Sequence, residues 1–137
     1  VTKPDFESLL TLKDAAGKKA SAFRSRETIT LVVTIRNRSD AARTLTLPTS
    51  QTHDCFVYAG KGEEVWRWSS SRMFAQVITE MTFAPGESRS FTATWDQTDR
   101  KGAPLPPGDY QAVGLVPAGV PGARSDPATF AIRPPDV

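Results

Sequence analysis

The sequence is short of the residues that chemistry needs. Among 137 residues there is one cysteine and one histidine. With Cys55 alone, no intrachain disulfide can form. With His53 alone, any acid–base site would have to be built around a single imidazole. An excess of one charge is also missing. The formal net charge is +2, and Lys18-Lys19, Arg24-Ser25-Arg26 and Arg100-Lys101 are short and scattered. No basic tract exists to hold a nucleic acid. No apolar run approaches the ~18 residues that cross a membrane. Apolar residues nowhere recur at i, i+3, i+4 and i+7 over several turns, which excludes a helical bundle. Gly60-Lys61-Gly62 has neither the P-loop nor the dinucleotide spacing, and no metal-ligand spacing occurs. The expectation is therefore no cofactor and no metal.

What is present is the pattern of an all-β fold. Short β-rich runs alternate with clusters of Gly, Pro, Asn, Asp and Ser, as in a sandwich or barrel. In Thr28–Arg36 the residues Ile29, Leu31, Val33 and Ile35 fall on one face, the period of a half-buried strand. Asn37-Arg38-Ser39-Asp40 supplies a turn, and Leu45 and Leu47 mark a return strand that pairs antiparallel with the first. Further strands are expected at Phe6–Lys13, Asp54–Ala59, Glu63–Ser69, Met81–Phe83, Ser88–Trp95, Asp109–Val116 and Ala128–Arg133. The two glycines around Lys61 can both provide positive φ for a hairpin, and Ala84-Pro85-Gly86-Glu87 reads as a Pro-Gly turn. Ser71–Gln76 has room for one irregular or helical turn. About eight or nine strands in one antiparallel domain follow, spanning residues 1–137. The segments Val1–Pro4 and Pro134–Val137 should be loose. A chain of this length buries roughly 68% of its unfolded surface, enough to hold without staples. The chain starts at Val1, which fits a removed leader or a trimmed sequence. A secreted or envelope location is favoured over the cytoplasm.

Catalysis finds little support. If His53, Asp54 and Cys55 lie on a strand, Asp54 points away from His53 and cannot orient it as a triad requires. His53 and Cys55 would then lie roughly 7 Å apart, too far for a nucleophile–base pair. A buried structural cysteine is the simpler reading. Asn37-Arg38-Ser39 fits the glycosylation acceptor pattern, which also arises by chance.

Two surfaces stand out for binding. Trp66 and Trp68 share one face of their strand, with Met73 and Phe74 shortly after. They either fill the core or form an aromatic patch for a partner. The connection Arg100–Pro107 is rich in proline, which fixes φ and preorganises a loop. Arg100, Lys101 and Leu105 are the side chains on it that a partner would meet. Pro117–Pro127, with Val120 and Arg124, is a weaker candidate. Pro107-Gly108-Asp109-Tyr110 has the form of a tyrosine corner, in which the phenol bonds back to upstream backbone.

Several blocks of this sequence resemble one family. Asn37-Arg38-Ser39-Asp40 followed by Thr44–Leu47, Ser50-Gln51 followed by Asp54–Tyr58, and Phe83–Ser88 are similar to its recurring hairpins and turns. Thr94-Trp95-Asp96 and Pro107–Tyr110 are too. The most distinctive block is Glu64-Val65-Trp66-Arg67-Trp68-Ser69 with Met73-Phe74-Ala75-Gln76. Together they resemble the intracellular proteinase inhibitor domain of bacilli, the BsuPI family, over roughly residues 28 to 116. Two positions depart from its pattern: His53 stands where the family usually has Tyr, and Cys55 interrupts an apolar strand. The resemblance implies an immunoglobulin-like β-sandwich and a protein partner, a subtilisin-like serine protease first, whose apolar pocket Leu105 would fill, while Arg100 or Lys101 would suit a trypsin-like one. The missing chemistry makes the expected domain non-catalytic, and a Greek-key monomer is expected. A structural or accessory module of a larger envelope or secreted protein is the alternative. Sugar binding through Trp66 and Trp68 is a third reading.

Overall fold

The computed structural model describes residues 3–135. The described residues form ten strands: β1 (Phe6–Lys13), β2 (Ala22–Arg24), β3 (Ile29–Asn37), β4 (Arg43–Leu47), β5 (Asp54–Ala59), β6 (Glu64–Arg67), β7 (Thr79–Phe83), β8 (Ser88–Trp95), β9 (Gly108–Leu115) and β10 (Ala128–Arg133). A 3-10 turn, Trp68–Ser71, follows β6. Three sheets result, ordered β1-β3-β8, β2-β10-β9-β5-β6 and β4-β7. The all-β expectation holds. Of the expected loose ends, residues 1–2 and 136–137 lie outside the described residues. Pro4, Pro134 and Pro135 are exposed and outside any strand.

The alternation read in β3 is borne out. Ile29, Leu31, Val33 and Ile35 are all essentially inaccessible. Burying each contributes about 1.5–3 kcal/mol. They face the five-stranded layer, and the two layers approach closely at Gly114. A Cβ there would lie 2.8 Å from Val33 Cγ2 and 3.4 Å from Leu10 Cδ1. Aromatic rings run through the core between the layers. Phe23 meets Phe130 at 5.8 Å, Phe130 meets Trp95 at 6.1 Å, and Trp95 stacks on Trp66 at 5.3 Å.

Four expectations are corrected. First, β3 and β4 do not pair. β3 is flanked by β1 and β8 in two eight-residue antiparallel registers, and β4 pairs with β7. The Asn37 side chain turns the chain away from β3. Its amide donates to Ala41 O, Phe83 O and Ala84 O, and its Oδ1 accepts from Ser39. This fully buried amide also makes the Asn37-Arg38-Ser39 triplet inaccessible to glycosylation in the folded chain. Second, the sandwich is not wholly antiparallel. The short β2 pairs parallel with β10, and it raises the strand number to ten. Third, β6 ends at Arg67, so Trp68 belongs to the 3-10 turn and does not share a strand face with Trp66. Fourth, only Gly62 of the two hairpin glycines has a positive φ.

The antiparallel pairings β4–β7 and β5–β6 leave two crossing segments side by side, residues 48–53 and 72–78. They are tied where Ser50 N donates to Ala75 O at 3.0 Å and Ala75 N donates to Ser50 Oγ at 2.8 Å.

Candidate functional site

β6 is the edge of one layer and β8 the edge of the other. The Trp66–Trp95 stack bridges them. Beside it lies a cleft of about 440 Å3 whose lining includes Trp66, Trp68, Trp95, Arg67, Arg72 and Arg100. The two candidate binding surfaces of the sequence thus meet, since Arg100 lines the same cleft as Trp66 and Trp68. Glu64 joins them, accepting from Arg67 at 2.8 Å and forming an ion pair with Arg100.

The element presenting Arg100 is a braced hairpin. Asp99 N donates to Ala103 O at 2.8 Å, and Asp99 Oδ1 accepts from Lys101 N and Ala103 N at 2.8 and 3.0 Å. Gly102 closes the turn at φ +83°, a left-handed conformation that glycine adopts without steric cost. Below it, the buried Gln97 amide donates to Arg24 O and Glu27 O and accepts from Arg26 N. Trp95 Nε1 donates to Thr98 O at 2.9 Å. Lys101 is exposed at the tip, whereas Leu105 is half-buried against the core with its N–H donating to Gln97 O. The tyrosine corner is present: Tyr110 Oη donates to Pro106 O at 2.6 Å.

The 3-10 turn presents Trp68 and leads into Arg72. It hangs on the buried Asp54, whose Oδ1 accepts from Cys55 N and Ser69 N and whose Oδ2 accepts from Ser69 Oγ at 2.6 Å. Trp68 packs on His53 at 4.2 Å and on Phe74 at 5.9 Å, and the Arg72 guanidinium lies 4.3 Å over its ring. Phe74 is half-buried, while Met73 is 98% exposed, so Met73 does not close the core. The sequence alone does not single out Ser50, Asp54, Arg72 or Gln97 as site residues. Their roles rest on partners distant along the chain.

His53 and Cys55 are structural. His53 stacks between Trp68 and Phe91, donates from Nε2 to Thr92 O at 2.9 Å, and accepts at Nδ1 from Thr52 Oγ1. Cys55 is buried, and that burial, with Asp54 adding to it, pushes its thiol up to about 12. Among the described residues no group of three His, Cys, Asp or Glu could hold a metal ion. No helix there is long and apolar enough to cross a membrane.

Burial lowers the His53 pKa. Arg72 lowers it a little, and the Thr92 carbonyl and Asp54 oppose this. The folded state then takes up its proton at a lower pH than the unfolded state. The contribution is intact above the unfolded value near 6.5 and is lost as pH falls below it. The melting midpoint should drop more between about pH 7.5 and about pH 5.5 in the native chain than in His53→Phe. Equal drops would mean that His53 takes up its proton equally readily in the folded and unfolded states.

A sequence model of the family described as intracellular proteinase inhibitor, BsuPI, matches residues 18–119. This chain belongs to the BsuPI family. The match spans the tryptophan block, the 3-10 turn, the braced hairpin and Tyr110, and stops short of β10 and most of the Pro117–Pro127 loop. No curated protein matches the chain. Among solved structures, the C-terminal domain of wzt aligns with TM-score 0.58 at 11% identity, covering 100% of this BsuPI chain and 77% of that one. The Pseudomonas fluorescens alkylpurine DNA glycosylase AlkC bound to DNA containing an abasic site analog aligns at 0.54 with 16% identity over 96% of this chain. The Erythrobacter marinus β-glucosidase EmGH1 aligns at 0.53 with 11% identity over 95%. The chain spans only 31% of the glycosylase and 16% of the glucosidase. Likeness at such identity concerns the fold alone.

Proposed function

We propose that this chain is a non-catalytic inhibitor of a subtilisin-like serine protease, binding through the face made by Trp66, Trp68, Met73, Phe74, Arg100 and Lys101. The observation that carries this reading is the convergence of the family's tryptophan block and the braced Arg100 hairpin on one cleft. An inhibitor gains affinity when its contact surface is ordered before binding, because little entropy is then lost. Here Asp54, Gln97 and Glu64 supply that order without disulfides. Leu105 supports the hairpin from behind. The sugar-binding reading loses support because Trp66 packs on Trp95, and Trp68 on both His53 and Arg72.

Titrating the purified chain against subtilisin should slow peptide-substrate turnover with an inhibition constant below about 1 μM, a gain of roughly 8 kcal/mol. Unchanged turnover at micromolar chain would leave the second reading, an accessory module within a larger protein.

A further inference from the structure

We propose that Met73 is the side chain that enters the specificity pocket of the protease, with Arg72–Ala75 lying in the cleft as a substrate would. The proposal rests on the inhibitor reading above and adds to it the residue and the pocket chemistry.

Met73 is 98% exposed, and Val77 and Ile78 on the same connection are 59% and 70% exposed. Single exposed apolar residues are ordinary, but several on one short segment mark a contact surface. The residues around Met73 are held. Arg72 lies on the Trp68 ring, Phe74 packs against Trp68, and both backbone groups of Ala75 are bonded to Ser50. Met73 is thus displayed on a span one residue long between fixed neighbours. The backbone entering it is extended, with Arg72 at φ −125° and ψ 153°. Peptides docked along a groove edge are bound extended, their backbone groups bonding and alternate side chains filling pockets. Residues 72–78 contain no glycine, which restricts the alternatives open to the free chain.

The Arg100–Lys101 tip fits the cleft of a protease less well. It is a tight turn rather than an extended strand, and Arg100 is already paired with Glu64. Leu105 is half-buried. Methionine is unbranched and fills an apolar slot, whereas a trypsin-like pocket holds an aspartate that requires a cation. The partner chemistry is therefore a serine protease with a large apolar pocket.

Inhibition constants measured with subtilisin and trypsin for the native chain, Met73→Asp and Met73→Lys test this. A side chain this exposed can be changed without disturbing the fold, which equal melting midpoints would verify. Met73→Asp should weaken subtilisin inhibition by at least about 30-fold, the loss of one hot-spot residue. Met73→Lys should weaken it likewise and acquire inhibition of trypsin. If the native chain inhibits subtilisin and both variants inhibit it equally well, this proposal is wrong and the inhibitor reading stands. The proposal fails in the same way if Arg100→Ala abolishes inhibition while the Met73 variants do not. A native chain that inhibits neither enzyme overturns both readings.

Discussion

Gly122→Ala should destabilise the protein by at least about 3 kcal/mol, a fall of roughly 10 °C in the melting midpoint. Two effects combine. Gly122 has φ +84°, where a side chain costs about 1–2 kcal/mol. A Cβ there would also fall 1.8 Å from Phe6 O and 2.6 Å from Phe6 C, so the two backbones must separate. Separation breaks the bond from Ser8 Oγ to Gly122 O, 2.7 Å in the native fold, and loosens the Pro117–Pro127 loop from the start of β1. Gly119→Ala is the control. It has φ +69° in the same loop with nothing within 4 Å of its Cβ, so it carries the conformational cost alone. A urea titration of both variants isolates the backbone contact. Equal losses would show that the Phe6 approach contributes nothing.

The Pro117–Pro127 loop illustrates what a sequence conceals. Its proline and glycine content reads as a free connection and a weak binding candidate. In the fold it is sewn down: Val116 N donates to Ala123 O, Ser125 N to Gly114 O and Gly114 N to Ser125 Oγ. Strand faces are legible because period-two alternation is local, and β3 shows it without error. Strand partners are not, since alternation says which side a residue faces and not which chain lies beside it. The Asn37 amide, bonded to Phe83 O and Ala84 O, decides that β4 leaves β3. Likewise the tryptophan block is visible as residues, but not where its strand stops. Asp54 ends it by capturing Ser69 from fifteen positions away. The meeting of Arg100 with Trp66 depends on Glu64, distant in sequence from the hairpin it holds.

That capture makes Asp54 the residue whose loss should separate stability from binding. Asp54→Ala leaves the Cys55 N–H, the Ser69 N–H and the Ser69 hydroxyl without their acceptor. Bonds to a charged group are worth about 1.5–3 kcal/mol, and part of the loss is recovered by water at the half-buried Ser69, so about 3 kcal/mol should go. That is comparable to the loss expected for Gly122→Ala. The effect on inhibition should differ. Ser69 belongs to the turn that carries Trp68 and sets the direction of Arg72 and Met73, whereas Gly122 packs on β1 and lines no part of the cleft. With both variants assayed at a temperature where they remain folded, Asp54→Ala should weaken subtilisin inhibition by about tenfold, because the loop must be ordered again on binding. Gly122→Ala should leave it unchanged. Asp54→Asn keeps one carboxyl-type acceptor, and its amide can donate to the Ser69 hydroxyl, so most of the inhibition should return. Equal inhibition by Asp54→Ala and the native chain would mean that the 3-10 turn holds its shape without the carboxylate, and the proposed binding face would then owe its order to the Ser50–Ala75 tie and the Trp68 stack instead.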